Sequence, residues 1–118
     1  MIFTADTATY DVIDGAHVAG LAIGDGSADY LMFQRSLEND CADRGIYVEL
    51  NDQINSGYDL VQTCRIQRQE LVVDLTEPVG GADAIRVKLS IEDKPFRRFV
   101  DGMKIIFRGK EKQLIIDA

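Results

Sequence analysis

The sequence has little of what metal sites and nucleophilic active sites are built from. It contains one histidine, His17, and two cysteines, Cys41 and Cys64, in 118 residues. A catalytic base needs a nucleophile or an orienting carboxylate within reach, and a zinc site needs closely spaced Cys and His ligands. The sequence shows neither pattern. We therefore expect a structural or exposed His17, two free thiols, and no catalytic residue, cofactor or metal.

The glycines and acidic residues do not complete any known ligand motif either. No phosphate-binding GxxxxGK[ST] and no GxSxG nucleophile motif occur, and Gly24-Asp25-Gly26 lacks the third glycine of a dinucleotide fingerprint. Glu38, Asp40 and Asp43 gather three carboxylates, the ligands that calcium prefers, but their spacing departs from the EF-hand pattern. The segment that contains them, Ser36 to Arg44, is interpreted as a solvated loop or a partner-binding patch.

Long hydrophobic runs are also missing. The longest apolar stretches are far too short to cross a bilayer, so we expect no membrane contact. The first residues have no basic region followed by an apolar segment, as a secretory signal would. Length and composition indicate a single domain over residues 1–118, with a real core and a cytoplasmic location.

Positive charge is scarce in the first half of the chain. Residues 1–59 hold 11 Asp and Glu against 2 Lys and Arg, a net charge of −9, whereas residues 60–118 carry a net charge of +2. An acidic half disfavours nucleic acid as a partner, because phosphates require a positive field. It is compatible with a basic protein partner, and equally with a surface that serves only solubility.

The stretch Tyr30 to Tyr58 organises the rest of the sequence. Tyr30–Arg35 is apolar on both faces, which predicts a strand in the middle of a sheet with cover above and below. Ile46–Leu50 alternates strictly, with Tyr47 and Glu49 on the face opposite the aliphatic side chains. If that face is open, tyrosine beside a carboxylate is typical of a protein interface; if it is covered, Tyr47 belongs to the core.

The remaining patterns predict six further strands and several turns. Asp14-Gly15 is a hairpin signal, and Asn55–Tyr58 and Glu77–Gly81 are interpreted as a turn and a loop. Gly20 within the second strand indicates a bulge or a close approach of neighbouring backbone. The predicted strands are Phe3–Ile13, His17–Ile23, Leu60–Arg68, Leu71–Leu75, Ile85–Ile91 and Gln113–Asp117.

One helix is predicted, from Pro95 to Arg108. Its apolar residues recur at i, i+3, i+4, i+7, i+10 and i+11 from Phe96, which places them on one face, and Asp93 is the predicted N-cap. Gly102 inside the helix is unfavourable relative to alanine, which suggests a close contact there. The fold class is therefore α+β: a mainly antiparallel sheet of about six to eight strands with one main C-terminal helix packed on it.

Several of these elements carry a resemblance to a known family. The strand YLMFQR (30–35), the following acidic segment, the Tyr47-Val48-Glu49 strand with Gln53, and Ser56-Gly57-Tyr58 resemble the immunity protein 10 family over about residues 28–108. The acidic segment is shorter than is usual in the family, and the tail 110–118 has no counterpart. The resemblance implies a bacterial immunity protein without catalytic residues that binds and neutralises a cognate polymorphic toxin. The acidic first half of the chain would complement a toxin that is basic at its substrate groove, such as a nuclease.

A docking face follows from the charge distribution. Glu38, Asp40 and Asp43 lie in the acidic half and lead directly into the strand of Tyr47 and Glu49, so we predict that these five residues contact the partner. Two other function classes remain open. A small-ligand or regulatory module would require an apolar pocket with a few polar groups. An enzyme that uses carboxylates alone, such as Glu49 with a loop aspartate, would require two adjacent carboxyls with different pKa values.

Overall fold

The computed structural model describes residues 2–37 and 45–118 of the protein. These residues form two five-stranded sheets and one main helix, α1 (Asp93–Ile106). Sheet I has the order β2-β3-β4-β5-β6, and sheet II has the order β1-β9-β8-β7-β10. Sheet I comprises β2 (Thr7–Ile13), β3 (Ala16–Ala22), β4 (Tyr30–Ser36), β5 (Tyr47–Leu50) and β6 (Asp52–Tyr58). Sheet II comprises β1 (Ile2–Ala5), β7 (Val61–Gln67), β8 (Glu70–Val79), β9 (Ala82–Leu89) and β10 (Leu114–Ile116).

The predicted fold class is confirmed. All pairs of neighbouring strands in sheet I are antiparallel, and sheet II is antiparallel except at its edges, where β1 pairs parallel with β9 and β10 pairs parallel with β7. The prediction of six to eight strands in one sheet was too low, since the described residues form ten strands in two sheets. Within the described residues, no helix is long and apolar enough to cross a membrane.

The first predicted strand, Phe3–Ile13, is in fact two strands in different sheets. The chain leaves β1 at Ala5 and enters β2 at Thr7, and Asp6 forms the corner between them. The Asp6 carboxylate accepts hydrogen bonds from the Gly24 amide and the Thr7 hydroxyl, both at 2.8 Å. These bonds, the one from Gly24 above all, hold the pKa of Asp6 below its usual value. The alternation shifts by one at this corner, since Phe3 and Ala5 face the core before it and Ala8 and Tyr10 pack against the core after it. Two consecutive polar residues, Asp6 and Thr7, were therefore the signal in the sequence, and it was overlooked.

Two predicted turns are also strands. Asn55–Tyr58 belongs to β6, because the tight connection lies earlier, at Asn51, whose φ is +62°. The predicted loop Glu77–Gly81 is mostly the end of β8, and only Gly80 and Gly81 make the turn, both with positive φ. By contrast, the hairpin at Asp14-Gly15 is confirmed, with φ of +50° and +80°. Turn-forming residues therefore indicated the correct regions of the chain, but two of the observed turns lie a few residues away from the predicted ones.

The apolar stripe of α1 is confirmed as the buried face. All six predicted positions, from Phe96 to Phe107, are buried in the core that the helix shares with both sheets. Helix α1 begins and ends two residues earlier than predicted, and Glu92, not Asp93, is the N-cap. Asp93 instead accepts hydrogen bonds from the Arg68 side chain, at 2.7 Å from Nη2 and 3.1 Å from Nε, which lowers its pKa.

Helix α1 lies on the inner face of sheet I. The ring of Phe107 is 6.4 Å from that of Phe33 on β4, and Arg35 on the same strand donates hydrogen bonds to the carbonyls of Ile106 and Arg108, at 2.8 and 2.6 Å. A Cβ atom at Gly102 would lie 2.2 Å from Cδ1 of Tyr10 on β2, so the close contact predicted for this glycine is present. This packing leaves the opposite, outer face of sheet I without the helix.

Candidate functional site

The outer face of sheet I is the candidate site, and strand β4 shows why it is open. As predicted, β4 is the central strand of its sheet. It was expected to be covered on both faces, and this is wrong: Leu31, Phe33 and Arg35 are buried, whereas Tyr30 and Met32 on the other face are only half-buried. The helix covers the first set. The second set forms part of an accessible surface.

Three tyrosines and a glutamate meet on this face. Tyr30 and Tyr47 both donate hydrogen bonds to Glu49, to Oε2 and Oε1 respectively, and the second bond measures 2.6 Å. The ring of Tyr58 on β6 lies 5.3 Å from that of Tyr47, which it faces across the β5–β6 pair. We call these four residues the tyrosine cluster. Adjacent strands with matching alternation bring it together.

The glutamate controls the acidity of the phenols beside it. Its hydrogen bond is the main cause that raises the pKa of Tyr30 to about 12, with desolvation as a second cause. Partial burial raises the pKa of Tyr47, and the bond to Glu49 adds to this effect. At neutral pH both phenols are therefore protonated donors, and they fix the orientation of the Glu49 carboxylate.

Asn51 holds the strands of the cluster in register. Its side-chain oxygen accepts a hydrogen bond from the backbone amide of Tyr30 at 2.8 Å. The backbone amide of Asn51 donates to the Tyr30 carbonyl at 3.0 Å. Its side-chain nitrogen donates to Asp29 at 2.9 Å. The left-handed backbone of Asn51 is one that asparagine tolerates better than most residues. The turn between β5 and β6 is thereby tied to the start of β4.

A shallow groove continues the face beyond Tyr30. It has a volume of about 280 Å³ and runs over β2, β3 and β4, where Thr9, Gly20 and Met32 form part of its wall. Gly20 has no side chain to fill it, and a Cβ atom there would lie 3.2 Å from Oγ1 of Thr9. The close backbone approach predicted at Gly20 is not found, because the Leu31 carbonyl oxygen would lie 3.8 Å from that Cβ atom, an ordinary contact. The pairing of β3 with β2 and β4 is regular at Gly20, so the residue does not mark a bulge either.

The sequence located part of this site. Tyr47 and Glu49 lie on the open face, half-buried, so the alternative in which Tyr47 belongs to the core is wrong. Glu38, Asp40 and Asp43 lie outside the described residues, and so does Cys41. Tyr30 and Tyr58 were not among the predicted docking residues, because Tyr30 was expected to be covered and Tyr58 was assigned to a turn. The polar Gln34, on the same side of β4 as Tyr30, is the signal that could have indicated an open face.

The surroundings of the tyrosine cluster are acidic. The described residues 2–37 and 45–59 include eight Asp and Glu residues. Arg35 is the one Lys or Arg in these two ranges, and it is buried on the inner side. The Lys and Arg residues of sheet II and α1 belong to the second half of the chain. The uneven charge of the sequence therefore becomes a difference between sheet I with its turns and the rest of the described chain.

The other polar residues singled out in the sequence lie away from this face. His17 shares the inner side of sheet I with Tyr10, whose hydroxyl is 2.6 Å from Nδ1 of the histidine. Cys64 is a buried free thiol, and burial raises its pKa. Among the described carboxyls, those with a shifted pKa are Asp6, Asp25 and Asp93, and all three shifts are downward. Within residues 2–37 and 45–118, no three potential ligands come together as a metal site.

Comparison with known proteins identifies the family. The sequence model of the family described as Immunity protein 10 matches residues 4–97, which include all five strands of sheet I and the first turn of α1. No curated protein and no solved structure gives a match. The matched range starts earlier than the resemblance at 28–108 and excludes the tail 110–118. Because the match covers most of the 118 residues, the chain belongs to the immunity protein 10 family.

Proposed function

We propose that this protein binds a cognate toxin protein and neutralises it by forming a stoichiometric complex in the cytoplasm of the producing cell. Membership of the immunity protein 10 family is the observation that carries this proposal. The inhibitor acts by covering or distorting the active site of the toxin, and it catalyses no reaction itself. A basic nuclease is the proposed class of toxin, because an acidic inhibitor gains fast, electrostatically steered association with a basic substrate groove.

The proposed docking face is the outer face of sheet I around the tyrosine cluster, extended by Glu38, Asp40 and Asp43. Tyrosine is enriched among the residues that dominate binding energy at interfaces, and its ring offers apolar area with a polar end. Tyr58 is 47% exposed, and Tyr47 is accessible beside it. In the sequence, the acidic segment lies between the end of β4 and Tyr47, the first residue of β5, and for this reason we include it in the proposed face.

The two rival classes receive less support. A ligand-binding module requires an enclosed pocket, whereas the grooves found on the described surface, of about 260 to 550 Å³, are open. A carboxylate enzyme requires one carboxyl with a raised pKa next to an ionised one. In the described part of the chain, the carboxyl pKa values that shift are all lowered.

Titration of toxin activity tests the proposal. The toxin encoded beside the gene for this protein is purified, and its activity is measured while the inhibitor is added in steps. We expect activity to fall linearly and to vanish at one inhibitor per toxin, with a complex of that composition in size-exclusion chromatography coupled to light scattering. Full activity in the presence of excess inhibitor would contradict the proposal.

A further inference from the structure

The hydrogen bonds within the tyrosine cluster leave part of Glu49 unused. Each carboxylate oxygen has two lone pairs. Tyr30 donates to Oε2 and Tyr47 donates to Oε1, so each oxygen is engaged once by a phenol. Within residues 2–37 and 45–118, no further donor engages Glu49, so one lone pair remains on each oxygen. Two adjacent acceptors of this kind are what the planar fork of a guanidinium group binds.

The rings beside Glu49 suit the same group. Tyr47 and Tyr58 lie with ring centroids 5.3 Å apart and planes inclined at 56°, and Tyr58 is exposed. Guanidinium groups stack on aromatic rings and are attracted to their faces more strongly where water is excluded. A cation that binds Glu49 would lie next to these rings. The cluster therefore offers a carboxylate and aromatic surface together.

No cation of the described part of sheet I satisfies Glu49. The guanidinium of Arg35 is buried on the inner side and donates to carbonyls at the end of α1. Asp29 immediately precedes β4 and Asp52 is the first residue of β6. Their carboxylates strengthen the negative potential near the cluster. The orientation of Glu49 is already fixed by the two phenols, so a cation would bind with little loss of side-chain entropy.

We infer that Glu49, with the rings of Tyr30, Tyr47 and Tyr58, forms a binding site for one guanidinium group, that of an arginine on the surface of the partner protein. The identity of the partner rests on the proposed function. The site itself is defined by residues of this chain alone, so it can be tested without a toxin. Its preference for arginine over lysine follows from the two parallel acceptors, which a point-like ammonium cannot engage at once.

The test is an NMR titration of the ¹⁵N-labelled full chain with Nα-acetyl-L-arginine amide at constant ionic strength. The matched probe is Nα-acetyl-L-citrulline amide, which has the same shape and a neutral urea in place of the guanidinium. We expect the arginine compound to cause saturable shifts in the amides of residues 30–32, 47–50 and 56–58, and the citrulline compound to cause none. Glu49→Gln should weaken binding by about tenfold or more, because it removes a charge-assisted hydrogen-bonding partner.

Asp14→Asn is the matched control variant. It removes the same charge from sheet I at a distant turn, and asparagine suits the positive φ of that position. Binding to this variant should remain close to wild type. Equal shifts from both probes, no saturable shift, or equal weakening by the two variants would overturn the inference. Such a failure leaves toxin neutralisation untouched, whereas arginine binding without neutralisation would overturn only the proposed function.

Discussion

Tyr30 shows how one carboxylate alters the chemistry of a surface phenol. Its hydroxyl donates a hydrogen bond to Glu49, and loss of the proton would place a phenolate against that carboxylate. The result is a pKa of about 12 for Tyr30. An unfolded chain has an ordinary tyrosine pKa of about 10. The folded state therefore holds this proton more strongly, and the corresponding stability is present below pH 10 and lost as pH rises towards 12.

The first prediction concerns the pH at which Tyr30 is half ionised. This midpoint is measured from the Cζ chemical shift of its labelled ring. In the wild type we expect the midpoint near pH 12. Glu49→Gln removes the main cause of the shift and should bring the midpoint down towards about 10. The control Asp14→Asn should leave it unchanged. An unaltered Tyr30 midpoint in Glu49→Gln would show that the pair is not formed in solution.

At the scale of elements, the contact between α1 and β2 depends on a missing side chain. Gly102 is buried in the middle of the helix, and a Cβ atom there would lie 2.2 and 2.4 Å from Cδ1 and Cγ of Tyr10. Arg98 on the same helix donates a hydrogen bond to the Tyr10 carbonyl at 2.8 Å, which limits how far the strand can shift. Glycine thus permits a close helix–sheet approach at the expense of helix propensity.

Gly102→Ala gives the second prediction, because two effects of opposite sign compete. Alanine improves helix propensity by about 1 kcal/mol, whereas overpacking of a tight contact costs about 1–3 kcal/mol. In an otherwise wild-type chain, we expect Gly102→Ala to lower the free energy of unfolding measured with urea. In a Tyr10→Ala background the clash is absent, so the same substitution should stabilise the protein by up to about 1 kcal/mol. The same sign in both backgrounds would contradict this account of the contact.

The elements also show what sequence patterns can and cannot predict. Helix α1 and strand β9 were predicted well because their periodicity repeats over many residues and the core selects one face. The corner at Asp6 is held in part by a hydrogen bond from Gly24, which is distant in sequence, so the shift of alternation at Asp6-Thr7 did not by itself reveal that the chain changes sheets there. Likewise, Asn55–Tyr58 has turn composition, yet pairing with β5 makes it a strand. Tertiary contacts decided each of these cases.

The same limit applies to the candidate site. Strict alternation in 46–50 identified Tyr47 and Glu49 as a pair on one face, and the structure agrees. Tyr30 and Tyr58 join them only through strand pairing, which the sequence does not specify, and only because α1 covers the other face of sheet I. A candidate surface that forms from three strands was therefore half predictable.

At the scale of the whole molecule, sheet I with its turns is more acidic than the rest of the described chain, and the third prediction uses this difference. Reversal of Glu38, Asp40 and Asp43 to lysine should slow association with the toxin and flatten its salt dependence, because steering acts on the encounter. The matched control reverses Glu77, Asp83 and Asp101, which are exposed on sheet II and α1 and change the net charge equally. Stopped-flow measurements at low salt compare the association rates of the two triple variants with the toxin. Equal slowing would mean that net charge alone, not the acidic sheet, steers the encounter.

The dissociation rate of the Tyr47→Ala variant from the cognate toxin tests the docking face most directly. Its control is Val72→Ala, a truncation of a half-buried side chain on the outer side of sheet II. If the tyrosine cluster anchors the toxin, Tyr47→Ala should raise the dissociation rate by about tenfold or more and leave the association rate nearly unchanged. Val72→Ala should dissociate like the wild type. A wild-type dissociation rate for Tyr47→Ala would contradict the proposed docking face.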